Sequence, residues 1–416
     1  MKDSRVVVTG LGVVTPIGIG LPDFWAGLLA GRNGVSKLTA FDVSAYPTTM
    51  AAQVRDFDSG RWIDPKSAAR MDRFSRFAVA ASALAMADAG FAENPSDGER
   101  AGVIIGSGIG GSETIESGHA RIAEKGPRGL DPFFVSKLLV NMAACMVSIR
   151  FGLKGPLSAP SVACSTGANS IGDAFRIIQR GDADLMLAGG SEACLTPMAF
   201  GGFCANRSMS RRNDRVENAS RPFDKGRDGF VMGEGAGVAV LESLEHAHAR
   251  GARIYAEMAG YGNTADAFHF TAPDPGASGM IRAMRNALAD AGLPPEAIGH
   301  INAHGTSTVL NDKLESAAIQ AVFGPRAGTI KISAIKSMIG HLLAAAGAVE
   351  FAAAVMSLHT GTVPPTINYE EPDPDCPLDY VTGGAETVGP KAVLSNSFGF
   401  GGGNVCLAVK KYGDSA

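Results

Sequence analysis

The chain has 416 residues, with 37 basic and 41 acidic side chains and a net charge of −4. That length is enough for one large or two fused domains with a sizeable core. The near-neutral balance excludes a general nucleic-acid binder, whose affinity would rest on many lysines and arginines neutralising phosphates. The high glycine content, 53 residues, beside few aromatics suits tightly packed helices and sheets rather than disorder.

From the N-terminus, MKDSRVVVTG runs directly into an apolar strand and lacks the basic flank, apolar stretch and cleavage site of a secretory signal. Gly10-Leu11-Gly12 after Val6–Val8 invites a dinucleotide-binding reading, but the third glycine of that pattern is replaced by Thr15, and Pro16 follows. Short apolar runs at Val6–Val8, Val103–Ile105, Leu185–Leu187 and Gly237–Leu241 read as buried strands. Helical periodicity fills Phe77–Ala89 and Ala168–Gln179. The second part repeats this with strands at Ile254–Met258, Ile301–Ala303, Ile330–Ser333 and Val405–Val409, and helices at Gly279–Ala291, Asp312–Val322 and Leu342–His359. Strands alternating with helices predict an α/β protein with sheets covered on both sides. A weak internal duplication predicts two pseudo-symmetric halves, residues 1–255 and 256–416, each with a small-residue helix preceded by a loop of reactive groups. Leu342–Leu358 is apolar enough to suggest a membrane span, but Glu350 and its many Ala and Gly residues predict a helix buried in a soluble core. The stretch Arg207–Gly235 holds many opposite charges, either a solvated loop or an ordered ion-pair network.

Six cysteines (Cys145, Cys164, Cys194, Cys204, Cys376, Cys406) form no C-x-x-C pair and read as reduced, mostly buried thiols of a reducing, cytoplasmic compartment. Cys164 stands apart. It ends an apolar segment and is followed by Ser165-Thr166-Gly167-Ala168, which lets a helix begin at an open position. Backbone N–H groups and the helix dipole favour an anion there. A free thiol with a pKa of ~8.5 is expected to fall to roughly 3.5–7.5 in such a place. His304 and His341 follow in Gly-rich turns, where an imidazole can donate to developing oxyanion charge or move a proton. His300 and His304 have the spacing of a zinc pair, but Ile301 and Ala303 place them at a strand end with no third ligand nearby. His246 and His248 are expected on an exposed helix. Phe398 and Phe400, within Ser395–Asn404, sit among glycines whose amides can approach a ligand, as a gate or an oxyanion donor.

Together the segments VVVTGLGVVTPIG, VACSTGANSIGDA, RPFDKGRDGFVMGEGAG, NAHGTST with NDKLE, KSMIGHLLAAAGAVE and SNSFGFGGGN resemble the β-ketoacyl-[acyl-carrier-protein] synthases of the KAS II type, over nearly the whole chain. That resemblance implies the thiolase fold, with two α/β halves in a five-layered αβαβα arrangement, and a homodimer. It implies condensation of an acyl chain with malonyl units carried on acyl carrier protein, with no cofactor, no catalytic metal, and neither nucleic acid nor membrane as partner. Cys164 is then the nucleophile. His304 and His341 serve malonyl decarboxylation, Lys336 sets their orientation, and Phe400 supplies an oxyanion N–H and a gating ring, with Phe398 beside it.

Further positions follow from the same motifs. Thr306 and Thr308 match pantetheine contacts, while Ile109, Phe203 and Phe134 match acyl-pocket positions, Phe134 reaching toward the partner subunit. Lys66, Arg70 and Arg207 are candidate carrier-protein contacts, although Ala69 replaces a basic residue common there. Asn302 and Glu350 are candidates for a structural cation. Gly403 stands where Thr is commoner. Three other readings share parts of this set: a discrete polyketide ketosynthase, a thiolase, and a non-catalytic chain-length subunit. Thiolases use a second cysteine as base where this chain offers two histidines, and chain-length subunits lack the nucleophilic cysteine.

Overall fold

A computed structural model describes residues 4–91, 94–95 and 97–413. The outermost three residues of each expected half therefore lie outside it.

The first half contributes β1 (Val6–Thr15), α1 (Arg73–Asp88), β2 (Ala101–Gly106), α2 (Met142–Phe151), β3 (Leu157–Ser158), α3 (Thr166–Arg180), β4 (Leu185–Glu192) and β5 (Gly235–Ser243). The second contributes β6 (Ala256–Ala265), α4 (Ser278–Ala291), β7 (Ile298–Asn302), α5 (Val309–Phe323), β8 (Lys331–Ser333), α6 (Ala346–Thr360), β9 (Ala392–Phe398) and β10 (Gly403–Lys410). Reading outward from the middle of the sheet, the strand order is β1-β5-β4-β2-β3 in one direction and β6-β10-β9-β7-β8 in the other. The senses match as well. The first two pairings of each half are antiparallel and the outer two parallel. Each half thus has the same topology, built from sequences whose duplication is barely visible.

Antiparallel pairing of Val6–Val8 with Ala256–Met258 joins the half-sheets into one hydrogen-bonded surface. Helices α1 and α2 cover the outside of the first half-sheet, and α4, with α5 packed beside it, the outside of the second. Between the half-sheets lie α3 and α6, which touch each other and pack on β4 and β9 respectively. Helix, sheet, helix, sheet and helix therefore stack in five layers, the thiolase arrangement. Strands buried on both faces explain why their sequences read as unbroken apolar runs.

The middle layer depends on two glycines. A Cβ on Gly167 would stand 2.8 Å from the amide nitrogen of Ala348, and one on Gly347 would stand 2.8 Å from that of Ala168. Each glycine lets its helix cross the start of the other at backbone contact. Residues Leu343–Thr360 form the one helical stretch among the described residues long and apolar enough to cross a membrane, and 89% of it is buried inside the fold.

Candidate active site

Both central helices begin in the same way. A non-glycine residue at positive φ (Ala163 at 47°, Leu343 at 50°) opens a single 3₁₀ turn, and the α-helix follows. Cys164 occupies this turn in the first half and Ala344 the matching place in the second. Thr166 locks the first turn, accepting from the Val162 N–H and donating to the Ala163 carbonyl. The sulfur thus sits on a strained elbow aimed at the interface between the halves.

The structure corrects the expected thiol chemistry. Cys164 is only 8% exposed, and burial pushes its thiol up to about 11. The Lys336 charge and the Phe400 N–H act in the opposite direction but are outweighed. Desolvation of the thiolate therefore exceeds the pull of the helix start. All six cysteines are free, and the other five are buried or half-buried.

Cys164 opens onto a cavity of about 360 Å³ that is also lined by His304, His341, Phe398, Phe400, Thr306, Thr308, Phe203 and Arg207. The rings of His304 and His341 lie 5.4 Å apart, edge to face. His341 accepts the Leu343 N–H at Nδ1, 3.2 Å away. His304 accepts at Nδ1 from Lys336 Nζ, 3.2 Å away. An imidazole that accepts at Nδ1 carries its proton on Nε2 when neutral. Burial first, then the Lys336 charge, hold both rings well below the ordinary histidine range, so both are neutral. Two Nε2–H donors result, without a net charge on either ring.

Lys336 is buried, and its Nζ donates to the His304 carbonyl at 2.6 Å and to Glu350. Glu315, also buried, accepts from His304 N (2.8 Å), Gly305 N (2.9 Å) and Asn396 Nδ2 (3.1 Å), and burial raises it to about 7. Thr306 and Thr308 share a hydroxyl contact of 2.9 Å at the start of α5. The Phe398 ring packs edge-on to His304 at 5.7 Å. Phe400 begins a 3₁₀ turn tied to a neighbouring loop: Gly401 N donates to the Phe270 carbonyl, Asp266 N to the Gly402 carbonyl, and Asn404 Nδ2 to Asp266 Oδ1.

The charged stretch 207–235 is an ordered network. Arg227 is buried, donates to the Thr308 and Val309 carbonyls at 3.1 Å each, and pairs with Asp373 and Asp312. Arg221 pairs with Asp224 and Glu370. These bonds hold the threonine loop in place.

Other expected positions fall outside the cavity lining. Ile109 packs in the apolar cluster that contains Cys164. Phe134 lies against Gly118 of its own chain. Lys66 and Arg70 are exposed on a separate segment, with the Arg70 guanidinium 4.8 Å over the Phe133 ring, so only Arg207 of the three basic candidates reaches the cavity. His300 lies in β7 and pairs with Ser333, away from a zinc geometry with His304. His246, on the short helix Leu244–Ala249, is half-buried against Glu242 rather than exposed. Among the described residues no cluster of three His, Cys, Asp or Glu side chains could hold a metal. Asn302 Oδ1 and Glu350 Oε2 are buried without partners, which suits a hard cation taking oxygen ligands.

Three groups escaped sequence reasoning: Glu315, Asp266 and the Leu343 N–H. Glu315 stands inside a segment that carries the resemblance, but its partners lie on other elements.

Residues 3–247 match the β-ketoacyl synthase N-terminal domain and residues 255–370 the β-ketoacyl synthase C-terminal domain. The 3-oxoacyl-[acyl-carrier-protein] synthase 2 of Synechocystis sp. is 50% identical over 412 residues, covering 99% of both chains. A β-ketoacyl synthase structure from Burkholderia phymatum superposes with a TM-score of 0.92 at 41% identity, covering 98% of this chain and all of that one. A solved complex of a type II polyketide acyl-carrier protein with its ketosynthase gives 0.91 at 38% identity, covering 99% and 100%. With its doubled topology, its elbow cysteine and its two neutral histidines in one cavity, this chain belongs to the β-ketoacyl synthase family.

Proposed function

We propose that this enzyme joins an acyl chain held on Cys164 to a two-carbon unit from malonyl-[acyl-carrier-protein], releasing CO2 and 3-oxoacyl-[acyl-carrier-protein] in fatty acid elongation. One observation carries the assignment of roles: the Cys164 sulfur and two Nε2–H imidazoles, each fixed through Nδ1, line a single cavity.

The sulfur attacks the acyl thioester carbon, the carbon–sulfur bond to the carrier breaks, and the thiol proton leaves with the carrier thiol. The acyl group is now on Cys164, so one hard condensation becomes two easier steps. Malonyl thioester then binds with its carbonyl oxygen on His304 and His341. Breaking the bond to the carboxylate releases CO2 and sends the electron pair into an enolate, which the two N–H groups stabilise without a strong base. The enolate carbon attacks the acyl carbonyl, whose oxyanion meets the N–H groups of Cys164 and Phe400. Collapse breaks the Cys164 carbon–sulfur bond and returns the sulfur as a thiolate, which takes a proton from solvent to restore the thiol. Lys336 fixes the His304 tautomer through Nδ1. These steps draw on side chains and carrier-borne thioesters alone, and we assign no cofactor.

Thr306 and Thr308, at the cavity, suit the polar pantetheine arm of the carrier. Arg207 beside them suits the acidic carrier surface, with Lys66 and Arg70 as a second, separate patch. Phe203 lines the cavity for the acyl chain, and the Phe398–Phe400 turn forms its gate. Asn302 and Glu350 are assigned to a structural cation on the strength of their orphaned oxygens. The two halves divide at residues 255 and 256, between the two copies of the topology. A homodimer is supported by β3, an edge strand paired on one side only, whose own Leu157 is exposed and which is flanked by exposed Val135, Leu139 and Ile149. Phe134, on the same segment as Val135, is then placed to reach the partner's acyl pocket. We place the reaction in the cytoplasm, where the reduced sulfur persists. Elongation of fatty acids is favoured over a polyketide pathway by the 50% identity to a fatty-acid-type synthase against 38% to the polyketide one.

Mass spectrometry after mixing with acyl carrier thioester tests the assignment. The acyl mass is expected on Cys164 and absent in Cys164→Ala, whereas an unmodified wild-type sulfur refutes it. His304→Ala is expected to acylate but to release no CO2 from malonyl carrier, and retained release would remove His304 from that step.

A further inference from the structure

One buried carboxylate beside the cavity is unused by these steps. Glu192 ends β4 with no solvent exposure. It accepts from Ser107 Oγ (2.8 Å), Gly108 N (2.8 Å) and Ile109 N (3.3 Å). Ser107 Oγ in turn accepts from Gly110 N at 3.0 Å. A Cβ at Gly108 would stand 2.8 Å from Glu192 Oε2, so a side chain there would push the amide off the carboxylate.

The second half contains the matching device. β2 ends at Gly106 and β7 at Asn302, which makes Gly108 and Ile109 the counterparts of His304 and Gly305. Those two amides also donate to the two oxygens of one buried carboxylate, Glu315. In each half, then, the loop after the second strand is pinned by consecutive N–H groups on a glutamate from another element. The pinned loop of the second half presents His304 to the substrate. That of the first presents Ile109, whose side chain packs in the cluster around Cys164.

We infer that Glu192 is a positioning residue that sets which acyl lengths Cys164 accepts, by holding Ile109 as a fixed wall. The inference rests on the reading of Cys164 as the acyl carrier. An acyl chain pressing on Ile109 can displace the loop only by stripping two amides and a hydroxyl from a fully buried acceptor. A long chain therefore meets a wall that does not retreat.

Two variants test this. Glu192→Gln keeps the volume but turns an NH2 group toward an N–H donor. Ser107→Ala removes the hydroxyl bridging Glu192 and Gly110 and is the milder change. Acylation of Cys164 from carriers bearing a ladder of saturated chains is followed by mass spectrometry, beside CO2 release from malonyl carrier. Discrimination between successive lengths at the cut-off is expected to fall about tenfold in Glu192→Gln, the scale of one methylene group in an apolar pocket. Ser107→Ala should shift it less and in the same direction, with CO2 release unchanged in both. A wild-type length profile in both variants overturns the inference, as does a parallel loss of acylation at every length together with CO2 release. If Glu192→Gln yields no folded protein, Ser107→Ala decides alone. Failure of the underlying reading looks different, since wild-type protein itself would then carry no acyl group on Cys164.

Discussion

Replacing Lys336 by Met separates the two things this side chain does. Its Nζ is buried against Glu350, which is equally buried. Burial already raises Glu350, and Lys336 is the group that opposes that shift. Removing one partner of a buried ion pair strands the other charge, a loss of about 3–5 kcal/mol. The same change frees His304 Nδ1 and its carbonyl, so the ring can flip to the tautomer that presents no Nε2–H. Loss of one preorganised donor corresponds to roughly 10²–10³ in rate. A second replacement, Glu350→Leu, removes the stranded carboxylate, and exchanging a whole buried pair for apolar groups is often neutral. Lys336→Met is therefore expected to be less stable and slow in CO2 release, while Lys336→Met/Glu350→Leu recovers stability but stays slow. Denaturant unfolding at one fixed protein concentration and CO2 release from malonyl carrier measure the two quantities. Parallel recovery of stability and rate in the double variant would refute the tautomer argument.

Acid–base behaviour should divide the two half-reactions. Alkylation of Cys164 in the free enzyme should climb about tenfold per pH unit between 7 and 10, because its thiol lies at about 11. CO2 release should stay level down past pH 6.5, since His304 and His341 remain neutral there; a drop centred near 6.5 would contradict their burial. The same depressed histidines make the unfolded chain bind more protons below 6.5, so their stability contribution is present above that pH and lost as it falls. Gly167→Ala should disrupt the middle layer, because its Cβ would meet the Ala348 amide nitrogen at 2.8 Å. Overpacking of this kind amounts to about 1–3 kcal/mol, and acylation of Cys164 three residues away should fall with it; unchanged stability would show that the helix crossing relaxes. Leu157→Asp on the exposed edge strand tests the proposed homodimer: it should yield monomers in sedimentation, and a dimer in the variant would move the interface elsewhere.

Sequence patterning located most of the strands and central helices, because buried α/β elements carry their periodicity locally. Its reach ended where contacts cross the chain. The elbow at Cys164 was legible from small residues after an apolar segment, but the rise of its thiol was not. Helix position is written in the sequence, whereas desolvation depends on Phe203, Phe398, Leu343 and other residues far away in the chain. Similarly, His304 and His341 could be named as donors from their turns. Which nitrogen carries the proton is decided by Lys336 Nζ and the Leu343 N–H, and neither assignment follows from spacing. The charged stretch 207–235 illustrates the same limit: its residues permit a solvated loop or a network, and Asp312, Glu370 and Asp373, far along the chain, select the network.

The duplication explains why the two halves share a fold but no obvious sequence. What the fold requires at each elbow is a residue tolerating positive φ, a small residue in the turn, and a glycine where the helices cross: Ala163, Cys164 and Gly167 in one half, Leu343, Ala344 and Gly347 in the other. These demands are steric, so they leave the reactive atom free to differ. One elbow carries sulfur, and the other carries only the methyl group of Ala344. The loops after the second strands diverge in the same manner, since both need a carboxylate beneath two amides but only one needs an imidazole above them. On the proposed function, catalysis occupies the positions that symmetry leaves unconstrained, and for that reason the proposed reactive residues come from both halves without repeating in either.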